Sequence, residues 1–331
     1  MKKLLALSMA CFVSLNAAEL KIAGSSTVYP FTSFVAEEYA VIKNTKTPIV
    51  ESIGTGGGFK VFCEGIIDIS NASRAIKLSE FETCKKSGVS DIVGVMIGYD
   101  GIVLAQNKIN TPLNISLHEL FLALAKEIPQ DGKLIPNPYT NWQQINKNLP
   151  NRKITIYGPP SSSGTRDSIE ELVMVDISKK IPEYKGAYKT IRQDGVFIPS
   201  GENDNLIISK LSVDKEAFGL FGYGFLASND DKVNAVYIDN VKADEKNISK
   251  GKYKLARSLF IYINAKKNPE VFEFAKIYMS DDLAKSGAEL EKIGLVPLDE
   301  ETLKATQKHI KEKTLLTDEL VKAGRVFWFR M

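Results

Sequence analysis

Four short stretches of this chain combine glycine with hydroxyl side chains or place an arginine beside them. They are Gly24-Ser25-Ser26-Thr27, Gly54-Thr55-Gly56-Gly57-Gly58, Asn71-Ala72-Ser73-Arg74 and Ser161-Ser162-Ser163-Gly164-Thr165-Arg166. Each follows a short apolar run that reads as a strand and stands near the start of a helical pattern. A helix N-terminus leaves main-chain N–H groups unpaired and carries about half a positive charge. Glycine lets the backbone approach a bound group closely, and Ser and Thr hydroxyls add hydrogen bonds. Together these features describe a cradle for an anion, above all a tetrahedral oxyanion. Arg74 and Arg166 add forked donors of matching geometry. Singly, each stretch has a plainer reading: Ser25-Ser26-Thr27 and Ser163-Gly164-Thr165 as helix caps, Arg74 as a surface ion-pair residue. The Gly54 run also lacks the lysine–hydroxyl pair of a nucleotide-binding loop. Recurrence at equivalent points along the chain is what four independent caps do not require.

Catalytic chemistry has less to stand on. There is no Gly-x-Ser-x-Gly nucleophile elbow, and His118 and His309 are the only histidines. Both sit in charged helical surroundings and are expected at the surface, so no base is marked out for a serine nucleophile. Neither histidine shares a short ligand spacing with a cysteine, which argues against a metal site. No carboxylate pair stands out as an acid–base couple. The reading is binding without turnover, with no catalytic residue, cofactor or metal.

The elements that must position these loops alternate. Leu20–Ala23, Ile49–Ile53 and Ile66–Ile69 read as strands, and a helix after Pro30 carries Phe31, Phe34, Val35 and Tyr39 on one face. That alternation is the mark of an α/β protein. The apolar run 92–105 is about twice an ordinary strand and suits a segment passing between two lobes, with 255–264 as the return crossing. Between them Ile154–Tyr157 leads into the fourth polar loop and a helix bearing Ile169, Leu172, Val173 and Ile177. The expected division is 19–98 and 257–331 for lobe I, with 99–256 inserted as lobe II. The tail beyond Pro269 reads as surface helices, and Val326–Phe329 as a docked core segment.

The chain has 331 residues, 44% apolar and 25% charged, which is ordinary globular composition. Lys2 and Lys3, the apolar run 4–15 and Asn16-Ala17-Ala18 have the three parts of a secretory signal peptide occupying 1–18, cleaved near Ala17 or Ala18. Ser8-Met9-Ala10 is a poor lipobox, so cleavage rather than a lipid anchor at Cys11 is expected. The formal charge of +3 falls to +1 without the two leader lysines. No dense basic block appears, which argues against a nucleic-acid partner. Cys63 and Cys84 remain after processing; an even pair in an exported chain reads as a disulfide, two free buried thiols being the alternative.

At these loops the sequence resembles the periplasmic phosphate-binding proteins of the Pst ABC transporters. The resemblance covers essentially the whole mature chain. It is carried by 24–30, by 54–74, by Ser162-Ser163-Gly164-Thr165-Arg166-Asp167 and by Gly219-Leu220-Phe221-Gly222-Tyr223. It implies a type II periplasmic-binding-protein fold, two α/β lobes joined by two hinge crossings, and an exported, periplasmic, monomeric receptor. That receptor closes on inorganic phosphate and delivers it to a membrane permease. By position, Ser25, Ser26, Thr27, Thr55, Ser73, Ser163, Gly164 and Thr165 would line the site, with Arg74 and Arg166 for charge. Cys63 and Cys84 look like the family's disulfide pair.

Two departures bear on selectivity. Some members carry an aspartate where this chain has Arg74, and an arginine where it has Pro159. Without that aspartate the acceptor for the proton of hydrogen phosphate is open, and Asp204 is the candidate for it. Another oxyanion (sulfate, molybdate or tungstate) is therefore the competing ligand class. A secreted phosphohydrolase and an adhesin or surface scaffold are the competing functions. Separately, Glu245-Lys246-Asn247-Ile248-Ser249 resembles the extended bacterial N-glycosylation sequon, against the plainer reading of a charged turn.

Overall fold

The computed structural model describes residues 19–161, 163–201 and 204–327. The leader, with its cleavage site and Cys11, and the side chain of Asp204 lie outside what it describes. Among the described residues no helix is long and apolar enough to cross a membrane.

Nine strands form one curled sheet: β1 (Lys21–Gly24), β2 (Ile49–Ser52), β3 (Ile69–Ala72), β4 (Ile92–Asn107), β5 (Ile156–Gly158), β6 (Phe197–Pro199), β7 (Phe218–Gly222), β8 (Val233–Ala235) and β9 (Ala256–Asn264). The order is β2-β1-β3-β9-β4-β7-β5-β6, with β8 pairing β4. β1 pairs in parallel with β2 and β3 on one side, and β5 with β6 and β7 on the other. Parallel strands need crossover helices, and these cover both halves. In the first half these are α1 (Tyr29–Lys43), α2 (Gly54–Cys63) and α3 (Leu78–Lys86). α1 buries Phe31, Val35 and Tyr39, each worth about 1.5–3 kcal/mol of apolar transfer.

The halves share two strands. β4 pairs with β9 from Ile92 to Gly101, then with β7 from Ile102 to Gln106. The expected lobe boundaries fall within β4 and at the start of β9. Within β4, Gly98 has φ +152°, and a Cβ there would lie 2.7 Å from the Val296 carbonyl oxygen. Opposite it the β9 register shifts between Leu259 and Phe260. A glycine in the left-handed region facing a bulge is how a long strand turns between two packed layers.

Three local readings need correction. The Gly54 run is the first turn of α2 and not a loop. β3 begins at Ile69, three residues later than its apolar run suggests, because its register to β1 pairs Ile22 with Ile69. His309 is buried in α7 (Glu300–Glu312), where its ring bonds the Gly94 carbonyl oxygen at 2.9 Å and packs on Phe327; His118, at the start of α4 (Leu117–Leu124), is exposed. Val326 is buried against Gly94. Asn247, in α6 (Glu245–Ser249), donates its amide to the Lys242 carbonyl at 3.0 Å and to Asp244 at 3.1 Å. That is the arrangement of a charged helical turn.

Cys63 on α2 and Cys84 on α3 form a disulfide. Its loop of this size gives about 3 kcal/mol in the chain-entropy account. It sits in a satellite core with Phe59, Phe62, Phe81 and Leu320.

Burial of His309 has a measurable consequence. Desolvation lowers its pKa below the ordinary 6.5, outweighing the Gly94 bond and Glu312, which raise it. The unfolded chain therefore takes up the proton first. The stability contributed by neutral His309 is fully present above 6.5 and is lost as pH falls through that value toward the folded one. Urea unfolding is expected to show wild type losing more stability than His309→Gln between pH 7 and 5, by at most about 1.4 kcal/mol per pH unit. Parallel losses in the two proteins would show that His309 does not titrate in this window.

Candidate functional site

β1, β2 and β3 are parallel and end at one edge, so the loops after them gather beyond their carboxyl ends, where open α/β sheets hold ligands. Close packing brings them together. A Cβ on Gly58 would lie 2.6 Å from Gly24 Cα, so the first turns of α2 press on the end of β1. Ser25 is buried and tied by its N–H to the Asn71 carbonyl at 2.9 Å. Thr55 Oγ1 accepts from the Ser73 N–H at 3.2 Å and lies 3.1 Å from Ser73 Oγ. Those two hydroxyls, from α2 and the end of β3, form one polar step.

The second half brings α5 (Gly164–Ile169), which continues through a π-helical turn, Glu170–Val175, to Ser178. Ser163 caps it, its Oγ accepting from the Thr165 N–H at 3.2 Å. Its first turn lies directly on the β1–α1 loop. A Cβ on Gly164 would be 2.7 Å from the Ser26 carbonyl carbon and from the Thr27 nitrogen. Thr27 Oγ1 donates to the Gly164 carbonyl at 3.1 Å, and Ser26 Oγ donates to Asp167 at 2.5 Å. Ser26, Thr27, Ser163, Gly164 and Thr165 are thus one cluster drawn from both halves.

The two expected arginines are each paired with a carboxylate of their own half. Arg74 makes a bidentate pair with Glu80, at 2.8 and 2.7 Å, and lies over the Phe59 ring at 5.4 Å. The Glu80 hydrogen bond raises the Arg74 pKa against the opposing effect of burial, and the Glu171 carboxylate adds to the rise. Burial works against ionised Glu80, but Arg74 and the Lys77 N–H outweigh it and hold its carboxyl below the ordinary value. Arg166 is buried, with Nε on Glu170 at 3.0 Å and its guanidinium 4.9 Å from the Phe197 ring centre. Each is thus anchored by an acid and an aromatic ring of its own half.

A third arginine, not singled out in the sequence, stands where the two halves meet. Arg257 is the second residue of β9 and faces Asp100 of β4 across the ladder. Its Nη2 donates to Thr27 Oγ1 at 2.8 Å and to Ser168 Oγ, and its Nη1 donates to Glu171. Ser168 Oγ in turn donates to Asp100 at 2.7 Å. The signal was one acid and one arginine inside otherwise apolar crossing strands. Two hollows lie away from these loops. One of about 540 Å³ runs between α6 and α7, and another of about 460 Å³ lies beside His118 and Lys180. Among the described residues no group of three or more His, Cys, Asp or Glu could hold a metal ion.

Comparison with known proteins bears on this geometry. Residues 14–282 match the family model described as a PBP superfamily domain. The phosphate-binding protein PstS of Staphylococcus haemolyticus is 30% identical over 311 residues, covering 91% of this chain and 88% of the relative. The chain belongs to the PstS family of the PBP superfamily. Protein SphX of Synechococcus elongatus, another family relative, is 33% identical over 300 residues, 88% of this chain and 81% of its own. The fold superposes on the crystal structure of a possible phosphate binding protein from Planctomyces limnophilus with TM-score 0.72 at 28% identity, covering 90% of this chain and 99% of that one. PstS from Borrelia burgdorferi shares the fold with TM-score 0.58, covering 79% and 92% at 24% identity. Both solved structures share this chain's α/β fold.

Proposed function

We propose that the protein captures inorganic phosphate outside the cytoplasm and hands it, unaltered, to the membrane permease of an ABC importer. It acts as a monomer whose lobes, 19–98 with 257–331 and 99–256, rotate about the Gly98 turn and the β9 bulge. The observation that carries this reading is the contact of Ser26 and Thr27 with the capped first turn of α5. A pocket whose two walls come from different lobes exists only when they close, so binding and closure are one event. Ser26, Thr27, Thr55, Ser73, Ser163, Gly164 and Thr165 supply hydroxyls and main-chain N–H groups, and Ser25 fixes the loop that bears two of them. Arg74, paired with Glu80, and Arg166, paired with Glu170, hold in place the elements that carry these groups.

Asp100 favours phosphate over sulfate, molybdate or tungstate. It is a carboxylate with a side chain only 13% exposed, beside the cluster through Ser168. A buried acceptor welcomes a protonated oxyanion and repels a fully ionised one. Asp100 takes the role for which Asp204 was the sequence candidate.

The test is thermal unfolding of ligand-stripped protein at constant ionic strength. Phosphate at a hundredfold excess over its dissociation constant is expected to add about 2.7 kcal/mol, with sulfate adding far less. An unmoved melting temperature in phosphate would exclude the proposal. An equal shift in sulfate would move the ligand class to oxyanions at large, and turnover of a chromogenic phosphomonoester would point to a hydrolase.

A further inference from the structure

We propose that Arg257 is the arginine whose charge the bound anion engages, and that Glu171 is its resident counter-ion, displaced when the anion enters. The inference rests on the phosphate reading above and deepens it. Arg257 differs from Arg74 and Arg166 in where it stands. It lies on a crossing strand, opposite Asp100 on the other, and reaches hydroxyls from both lobes through Thr27 and Ser168. Its side chain is only 9% exposed. Its Nε nevertheless makes no hydrogen bond: the nearest carboxylate oxygen, Asp100 Oδ2, is 3.5 Å away. A buried guanidinium N–H without a partner costs free energy, and an acceptor brought to it recovers that cost.

The two carboxylates beside Arg257 are not equivalent. Asp100 is enclosed by the crossing strands and tied by Ser168, whereas the Glu171 side chain is 47% exposed and comes from the facing lobe. An exposed carboxylate leaves an arginine for water at little cost, while a buried guanidinium cannot follow it. Glu171 also acts electrostatically on Arg74 of the other lobe. An anion taking the place of Glu171 keeps the charge around Arg257 balanced. Entry is then an exchange of one anionic group for another, with no uncompensated buried charge at any stage. Glu170, the preceding residue, stays on Arg166 and is not part of the exchange.

The experiment is calorimetric titration of the ligand-stripped full chain with inorganic phosphate, comparing wild type, Arg257→Gln, Arg257→Lys and Glu171→Gln. Arg257→Gln is expected to weaken binding at least a hundredfold, and Arg257→Lys by an intermediate factor, because lysine keeps the charge without the fork. Glu171→Gln is expected to tighten binding about threefold, and less at high salt, since only a competitor is removed. A merely structural Arg257–Glu171 pair moves both variants the same way, toward weaker binding. Glu171→Gln alters an exposed position and keeps the test decisive even where the Arg257 variants unfold. Arg257→Gln within threefold of wild type, or Glu171→Gln weaker than wild type, overturns the inference and leaves the phosphate reading standing. Absence of phosphate binding by wild type overturns both.

Discussion

Gly164→Ala is expected to cut phosphate affinity by one to two orders of magnitude while leaving the melting temperature of the anion-free protein almost unchanged. Within its own lobe the substitution is benign, since alanine in a first helical turn costs less backbone entropy than glycine. The new Cβ, however, would lie 2.7 to 2.8 Å from three atoms of the facing backbone, Ser26 C, Thr27 N and Ser26 O. No side chain can rotate away, because the obstacle is main chain on both sides. The lobes must stand apart, and the loss falls on the state in which they meet. Overpacking of this kind costs about 1–3 kcal/mol, and each 1.4 kcal/mol is about tenfold in affinity. Isothermal titration with phosphate reads the effect directly. Near-wild-type affinity would mean that the bound form does not bring α5 onto the β1–α1 loop.

The reason Gly164 matters was only half visible in the residues. Ser163-Gly164-Thr165 announces a capped helix start, and Gly24-Ser25-Ser26-Thr27 a polar loop, because glycine and hydroxyl side chains have local conformational uses. That the two would touch depends on how a 16-residue strand, β4, is shared between lobes, and its length and apolar character did indicate that. What lay beyond local reading was pairing. β3 takes its start from its register with β1 rather than from its apolar content. The Gly54 run coils into α2 although glycine is a poor helix former, because only glycine at position 58 lets that turn rest on Gly24. Arg257 and Asp100 are 157 positions apart by number and adjacent only through the β4–β9 ladder. His309 carries lysines on its exposed flanks, yet its own face of α7 turns inward to Gly94. In each case a contact between distant segments overrode a sound local preference.

The largest effect on stability is expected at Gly24, and it separates two glycines that a pattern reading would treat alike. Gly24 ends β1 with φ +143°, in a region that side-chain-bearing residues rarely adopt, and a Cβ there would lie 2.1 Å from the Asn71 carbonyl oxygen of β3. Gly24→Ala must therefore distort the β1–β3 pairing as well as strain its own backbone. Left-handed strain and overpacking together amount to about 3–5 kcal/mol, a large part of the roughly 5–15 kcal/mol that holds a domain folded. Gly58→Ala meets Gly24 Cα at 2.6 Å from the helix side, but there the gain of an alanine in a helix, about 1 kcal/mol, offsets part of the clash. The expected order of urea midpoints is wild type, then Gly58→Ala, then Gly24→Ala, with m values unchanged. The two variants should also differ in the site. Gly24 sets the course of the Ser26–Thr27 loop, so Gly24→Ala weakens phosphate binding as well as folding, whereas Gly58→Ala displaces α2 and with it Thr55 alone. Equal midpoints for the two variants would show that β1 yields at its end, and that the loops are placed by α1 and α5 rather than by the β1–β3 register.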